Sequence, residues 1–401
     1  MKILQICHKP PLPAVDGGCI AMNNITQGLL NAGHEVKVLC ISTHKHPFEK
    51  EKISDEYLEK TKTQSSFIDT RVKPITAFIN IFSNKSYNIS RFWSTIFDEL
   101  IKKTLTKNEF DIVQLEGLFV APYLKTIQQL SKAKVIYRAH NIEFEIWERL
   151  AKNQKNLIKK WYLNMLAKRM KNYEIKILNH FDGIATITKN DAEKYETLKC
   201  ISPLEEVSFS FDYQQIKNEN IIEIKNTSIA FIGAFDWQPN LEGVKWFLEK
   251  VWPPILQKNP ELEFHIAGRN MPDKIKNLQK KNIKIIGEIE NAHEFISTHP
   301  IMVVPLFSGS GIRIKIIEAM ALERAVVSTS LGAQGINCEH GKNIMIADTA
   351  EEFITTIDSL VNNSEKVQKI SENASWFVKE EHDNKKITEK LVGFYEKIIA
   401  V

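Results

Sequence analysis

Short apolar runs alternating with amphipathic stretches constrain this chain more than any other feature. In the first half the runs are "KILQIC", "EVKVLC", "DIVQLE", "KVIYRAH" and "GIATIT". In the second half they are "SIAFIG", "LEFHIAG", "IKIIG", "IMVVPL", "AVVSTS" and "NIMIA". Runs this short, rich in β-branched residues and separated by helical patterns, read as parallel strands joined by βαβ crossovers. The expected fold class is α/β, with two doubly wound, Rossmann-like domains. Ligands of open α/β sheets bind outside the carboxyl ends of the strands, so two such domains facing each other would enclose a cleft. The expected boundaries are 1–206 for the first domain, 207–382 for the second, and 383–401 for a C-terminal helix packing back on the first. The polar stretch 204–226 reads as the linker, and the tail helix breaks near His382 and Asp383.

Composition narrows the function classes. A chain of 401 residues, 43% hydrophobic and 25% charged, supports two ordinary cores. The net charge of +4, from 53 basic against 49 acidic residues, is too mild to imply a nucleic-acid partner. Five cysteines without CxxC spacing indicate neither a zinc site nor a disulfide frame. "MKILQICHKPPLP" reads as a strand and loop, not a signal peptide, and no window reaches the ~18 apolar residues of a membrane span. The expectation is a soluble cytoplasmic protein. One stretch, 153–178, is a basic amphipathic helix with Trp161, Leu163, Leu166 and Met170 among lysines. It reads as a charged face over a core stripe, with peripheral contact to an anionic membrane surface as the sharper alternative.

Chemistry concentrates in four places. "PLFSGSGIRIKIIEAMALERAVVSTSLGAQGI" (305–336) carries a strand into a Gly-rich turn and straight into a helix. Such a turn aims backbone N–H groups at one point and suits phosphate oxygens. Ser310, Gly311, Arg313 and Lys315 are the candidates there, and Lys315 shares a helix face with Glu318. Cations at the positive end of a helix dipole make sense if an anion is meant to join them. The Walker and dinucleotide glycine patterns are both absent. "PPLPAVDGGCIAMNNITQGLLNAGHEVKVL" places Gly17 and Gly18 at another helix start. "KVIYRAHNIEFEIWERLA" ends a strand at His140, with Asn141 and Glu143 following as further candidates. "FIGAFDWQPNLEGVKWFLEKVWPPI" ends a strand at Gly233, followed by Asp236 and then Asn240, which reads as a helix N-cap. Arg269, after "LEFHIAG", is a further candidate at the end of a strand. No Asp-x-Asp occurs anywhere, so a metal held on a diphosphate by paired carboxylates is not expected.

Taken together, these stretches resemble the retaining glycosyltransferases of the GT-B fold, in the large family-four (glycosyl transferases group 1) class. The resemblance runs over nearly the whole chain and is most specific in "IIEAMALERAVVST". It implies that Glu318 binds the nucleotide ribose, that His140 lies near the reacting sugar with Asn141 and Glu143 on the acceptor or sugar side, and that Gly17 and Gly18 approach phosphates or acceptor. It further implies a metal-independent transfer from a nucleotide-diphosphate sugar to a glycan or lipid-linked glycan. Two departures stand out. Ser310 occupies the place of the first Glu of the family's E-x7-E pattern, and the family's Arg and Lys after the first donor-domain strand are missing. A nucleotide-sugar 2-epimerase of the same fold and an inactive sugar-nucleotide-binding subunit remain alternatives. A nicotinamide oxidoreductase is disfavoured by the missing glycine pattern.

Overall fold

Strand β1 (Lys2–Cys7) is buried along its length after Lys2, as a parallel strand covered on both faces must be. The structure, a computed structural model, describes residues 1–213, 228–309 and 311–401. The chain divides into two units, 1–210 with 384–401, and 211–383. The sequence had placed the first boundary at 206/207.

In the first unit β1 is joined by β2 (Glu35–Ser42), β3 (Gln64–Phe67), β4 (Ile112–Glu116), β5 (Lys134–Ala139), β6 (Gly183–Thr186) and β7 (Leu204–Glu206). All neighbours are parallel, in the order β3-β2-β1-β4-β5-β6-β7. Side chains alternate between two cores, Leu4 and Ile6 on one face, Ile3 and Cys7 on the other. The second face is covered by helix Gly17–Asn31 and by the last helix, Asn384–Ile399, through Leu391, Phe394 and Tyr395. The fit is close at Gly28, where a Cβ would stand 2.0 Å from the Thr388 hydroxyl.

The second unit repeats the plan with β8 (Ser228–Ile232), β9 (Glu263–Ala267), β10 (Ile283–Gly287), β11 (Ile301–Val304), β12 (Ala325–Ser328) and β13 (Met345–Ile346). Their order is β10-β9-β8-β11-β12-β13, again all parallel. Phe247, Val251 and Trp252 are buried in its core.

All eleven expected strands are present, and two unexpected ones, β3 and β7, are short edge strands of polar sequence. The expected linker therefore needs correction. Residues 204–206 form β7, and Val207, Phe209 and Phe211 are buried. The buried Arg138 guanidinium holds the carbonyls of Val207 and Ser208 at 3.0 and 3.3 Å, which fixes this segment to the sheet. The remainder of that stretch, from 214, lies outside the described residues. Trp161 also departs from expectation: it is 58% exposed, whereas Leu166 and Met170 are buried.

Candidate active site

In each sheet the strand order reverses once, between β1 and β4 and between β8 and β11. Loops leaving the sheet in opposite directions at such a switch point open a crevice at the carboxyl ends. His140 directly follows β5, Gly233 directly follows β8, and Lys315 lies in the helix after β11.

In the first unit the crevice is built on Glu116, the last residue of β4. It is fully buried and accepts from His140 Nε2 at 2.6 Å and from Gln5 Nε2 at 2.8 Å, with Gln114 as a third donor. Burial pushes its pKa upward, but the His140 bond and charge, with Arg138 and Gln5, outweigh this and hold it below the ordinary carboxylate value. The ionised carboxylate can only accept, so His140 Nε2 must carry a proton. Nδ1, which has no hydrogen-bond partner among the described residues, is then left as acceptor or base. Gln5 is fixed in turn by the Thr26 hydroxyl at 2.6 Å, and Gln114 accepts from the Tyr395 hydroxyl. The last helix thus reaches His140 through Tyr395, Gln114 and Glu116.

His8, just after β1, donates Nδ1–H to the Glu116 carbonyl at 2.7 Å and stands edge-on to His140, ring centroids 5.8 Å apart. Burial holds its pKa well below the usual histidine value, so its ring is neutral. Gly117 has φ +86°, and a Cβ there would meet the His8 ring at 2.9 Å. Gly17 and Gly18 open the expected helix. Its N-cap is Asp16, which accepts from Cys19 N at 3.0 Å and is gripped by Lys9 at 2.6 Å and His46 at 2.9 Å. A side chain at Gly18 would meet the Lys9 ammonium at 2.7 Å. Part of that helix start is therefore already satisfied by an internal carboxylate.

Asn141 is half-buried, and Glu143 is only 8% exposed. Burial and the neighbouring Glu174 push the Glu143 carboxyl up to about 8. Glu174, itself raised to about 7 by burial, accepts from the backbone of Glu143 and Phe144 and from the Tyr195 hydroxyl. This pair anchors the start of helix Glu143–Asn153.

In the second unit Lys315 is the centre. It lies in helix Ile314–Ala321, with Arg313 as the N-cap residue. Its ammonium reaches across the switch point to the carbonyl of Ile232, the last residue of β8, at 2.6 Å and to Asn240 Oδ1 at 2.9 Å. It also lies over the Phe231 ring, 4.4 Å from the centroid. A side chain at Gly233 would meet both Lys315 Nζ and Asn240 Nδ2 at 2.7 Å. Burial, then the charge of Arg313, lowers the Lys315 pKa to about 7, against a smaller opposing pull from Glu318. Arg313 is buried, bonds the Gly311 carbonyl and stacks on Trp237 at 5.2 Å. Gly309 and Gly311 have φ +108° and +79°, conformations that favour glycine.

Asn240 is not the N-cap. The helix is Gln238–Trp246, with Trp237 in that position and Pro239 in the first turn. Proline suits the first turn because it has no N–H to donate, and Asn240 is freed to bond Ala234 O at 2.8 Å and Lys315. Gly268, next to Arg269, lies against Gly233, where a Cβ would stand 1.8 Å from the Gly233 carbonyl. Arg269 is half-buried and Asp236 exposed. Glu318 is 13% exposed with His293 Nε2 3.6 Å away. Ser310 lies outside the described residues.

Glu116, His8, Tyr395 and His293 were missed from sequence. Glu116 had a signal: a carboxylate closing the otherwise apolar "DIVQLE", with Gln114 paired in register to Gln5 of "KILQIC".

Comparison with known proteins agrees with this geometry. An uncharacterized 44.6 kDa protein in the cps region of Klebsiella pneumoniae is 25% identical over 398 residues, 96% of this chain and 97% of its own. Sucrose-phosphate synthase from Thermosynechococcus elongatus superposes with a TM-score of 0.71 at 13% identity, over 100% of this chain and 99% of that one. Anabaena HepE in complex with UDP gives 0.68 at 12%, over 99% and 100%. Residues 226–363 match the glycosyl transferases group 1 family. The match to the glycosyl transferases group 1 family thus falls on the second unit, and the chain as a whole has the GT-B architecture of these solved structures.

Proposed function

We propose that the chain transfers a sugar from a nucleoside-diphosphate sugar, with retention and without a metal, to a glycan or lipid-linked glycan acceptor. The observation that carries this reading is the placement of Lys315. Its ammonium stands at the end of β8, where the sequence supplies no cation, beside Arg313 and a turn rich in glycine. A diphosphate seated there meets one planar guanidinium, one point charge and the N-terminus of helix Ile314–Ala321. UDP bound to the structurally similar HepE supports a nucleotide on this fold, and the cps-region relative supports a surface-polysaccharide acceptor.

In the reaction the acceptor oxygen bonds the anomeric carbon as the bond from that carbon to the diphosphate oxygen breaks on the same face. The acceptor proton passes to the departing diphosphate. Arg313 and Lys315 stabilise the charge that develops on that leaving group, so their contribution is larger in the transition state than in the bound donor. His140, oriented by Glu116, offers Nδ1 to a hydroxyl of the donor sugar. Glu318 receives the ribose hydroxyls.

The test is Glu318→Ala. Losing a largely enclosed carboxylate that accepts hydroxyl protons weakens binding by about 1–3 kcal/mol, for the free nucleoside diphosphate as well as for the sugar donor. Unchanged nucleotide affinity sinks the assignment. Donor turnover in the absence of any acceptor would favour the 2-epimerase instead.

A further inference from the structure

Helix Pro74–Ile81 (PITAFINI) is the least explained element of the first unit. Asn80 is its only buried residue. Ile75 is 77% exposed, Phe78 63%, Ile79 59% and Phe82, at its end, 81%. An eight-residue apolar helix gains nothing from standing in water, so this face is built to be covered.

Both ends of the helix are tied to its surroundings. Arg169, from the basic helix Leu157–Leu178, holds Asn80 O and Ile81 O, each at 2.8 Å. At the other end Lys73 N donates to the hydroxyl of Tyr87, whose short helix packs against the same basic helix. That basic helix begins with a second exposed apolar group: Leu157 at 80%, Ile158 at 79% and Trp161 at 58%.

The surrounding charge is predominantly positive, although Asp69 pairs with Arg71 and Lys73, and Glu148 with Lys171. Residues 70–97 contain Arg71, Lys73, Lys85 and Arg91 and no carboxylate. Residues 149–173 contain eight Lys and Arg and again no carboxylate. At the density of 49 carboxylates over 401 residues, these two segments would together hold about six.

We infer that helix Pro74–Ile81 and the first turns of helix Leu157–Leu178 form a docking surface for an anionic phospholipid bilayer. Aromatic and aliphatic side chains enter the headgroup boundary while the surrounding lysines meet lipid phosphates. A second copy of the chain fits poorly, because a symmetric contact would bring this positive surface against itself. The surface extends the lipid-linked acceptor reading but does not depend on it, since it is defined by lipid alone.

The test is cosedimentation of the full chain with phosphatidylcholine vesicles, with and without roughly 30 mol % phosphatidylglycerol. The expected result is binding to the anionic vesicles only, reversed by high salt. The triple variant Ile75→Ser, Phe78→Ser, Phe82→Ser and, separately, Lys155→Glu with Lys159→Glu should each lose at least tenfold in vesicle affinity. Melting temperature and nucleoside-diphosphate binding should remain those of the parent. As a readout free of any folding change in that helix, the fluorescence difference between the parent and Trp161→Phe should shift to the blue on anionic vesicles. Failure of the parent to bind, equal binding to neutral vesicles, or full binding by both variants overturns the proposal. So does a parent dimer that the triple variant dissociates with no vesicle binding in either. No sugar enters the assay, so a failure of the transfer reading is read separately.

Discussion

The depressed pKa of Lys315 makes nucleotide binding depend on pH in a way that tests its role directly. With a pKa of about 7 in the unliganded protein, roughly half of the Lys315 side chains are charged at pH 7 and about one in a hundred at pH 9. A diphosphate seated against the ammonium favours the charged form and raises that pKa back toward the ordinary lysine range. Above pH 7 each binding event must then draw a proton from solvent, and affinity falls by up to tenfold per pH unit, about 50-fold between pH 7 and pH 9. The phosphate groups are already ionised there and add no slope of their own. Isothermal titration of nucleoside diphosphate at pH 7, 8 and 9, in buffers of differing ionisation enthalpy, reads both the affinity and the proton taken up. Lys315→Arg keeps a permanent charge and should give a flat profile; Lys315→Met should be flat and weak. Stability of the free protein carries the matching sign. The group disfavours folding in full below pH 7, and that penalty disappears as pH rises toward the unfolded value of 10.5. A parent protein whose nucleotide affinity is level from pH 7 to pH 9, with no proton uptake, would refute the reasoning and leave Lys315 as a tie between two loops.

His140→Ala should lower turnover by roughly 100-fold while nucleotide affinity stays within about twofold; turnover that survives marks the histidine as structural. Glu116→Gln keeps the shape but removes the charge that fixes the tautomer, so kcat should fall while KM for the donor holds, and a parent-like kcat would dismiss the dyad. The raised pKa values of Glu143 and Glu174, about 8 and 7, make the folded state bind more protons than the unfolded chain above pH 4.5. Stability should therefore fall as pH rises from about 4.5 to 8, and Glu143→Gln should flatten that slope in thermal melts; an unchanged slope would mean the pair is solvated. Transfer activity should persist in excess EDTA, and activity lost to EDTA and restored by magnesium or manganese would end the metal-independent reading.

Buried strands were legible because the parallel sheets, covered on both faces, need near-continuous Val, Ile and Leu. The edge strands Gln64–Phe67 and Leu204–Glu206 were not, since an edge is paired on one side only and tolerates polar residues. Site residues that end strands or open helices, such as His140, Gly233 and Arg313, could be read because their position along an element already says which end of the sheet they occupy. Glu116 was hidden by its company: a carboxylate inside an apolar run reads as a strand terminus until a partner is known. That partner lies 24 residues away and meets it only through the pairing of β4 with β5. Tyr395 is further still, 281 residues from the Gln114 it bonds, and periodicity carries no information across that distance.

The two missing cations after the first donor-domain strand show where a pattern read along the chain differs from chemistry arranged in space. β8 and β11 are hydrogen-bonded neighbours, so their carboxyl ends lie about 5 Å apart. The helix after β8 packs as closely on the segment leaving β11: at Gly243 a Cβ would stand 2.0 Å from the Pro305 carbonyl, leaving room for no side chain. Lys315, 83 residues from Ile232 in sequence, therefore needs only its own four-carbon stem to put an ammonium on the Ile232 carbonyl. Supplying charge from the second loop has a physical consequence that a lysine in the first would not. The ammonium lies over the Phe231 ring and bonds Ile232 and Asn240, so burial strips its hydration and, with Arg313 nearby, its pKa falls. A freely solvated lysine beside Gly233 would keep its charge at every physiological pH. On the function proposed above, the relocated one regains its full charge when a diphosphate binds, so that its charge depends on its ligand.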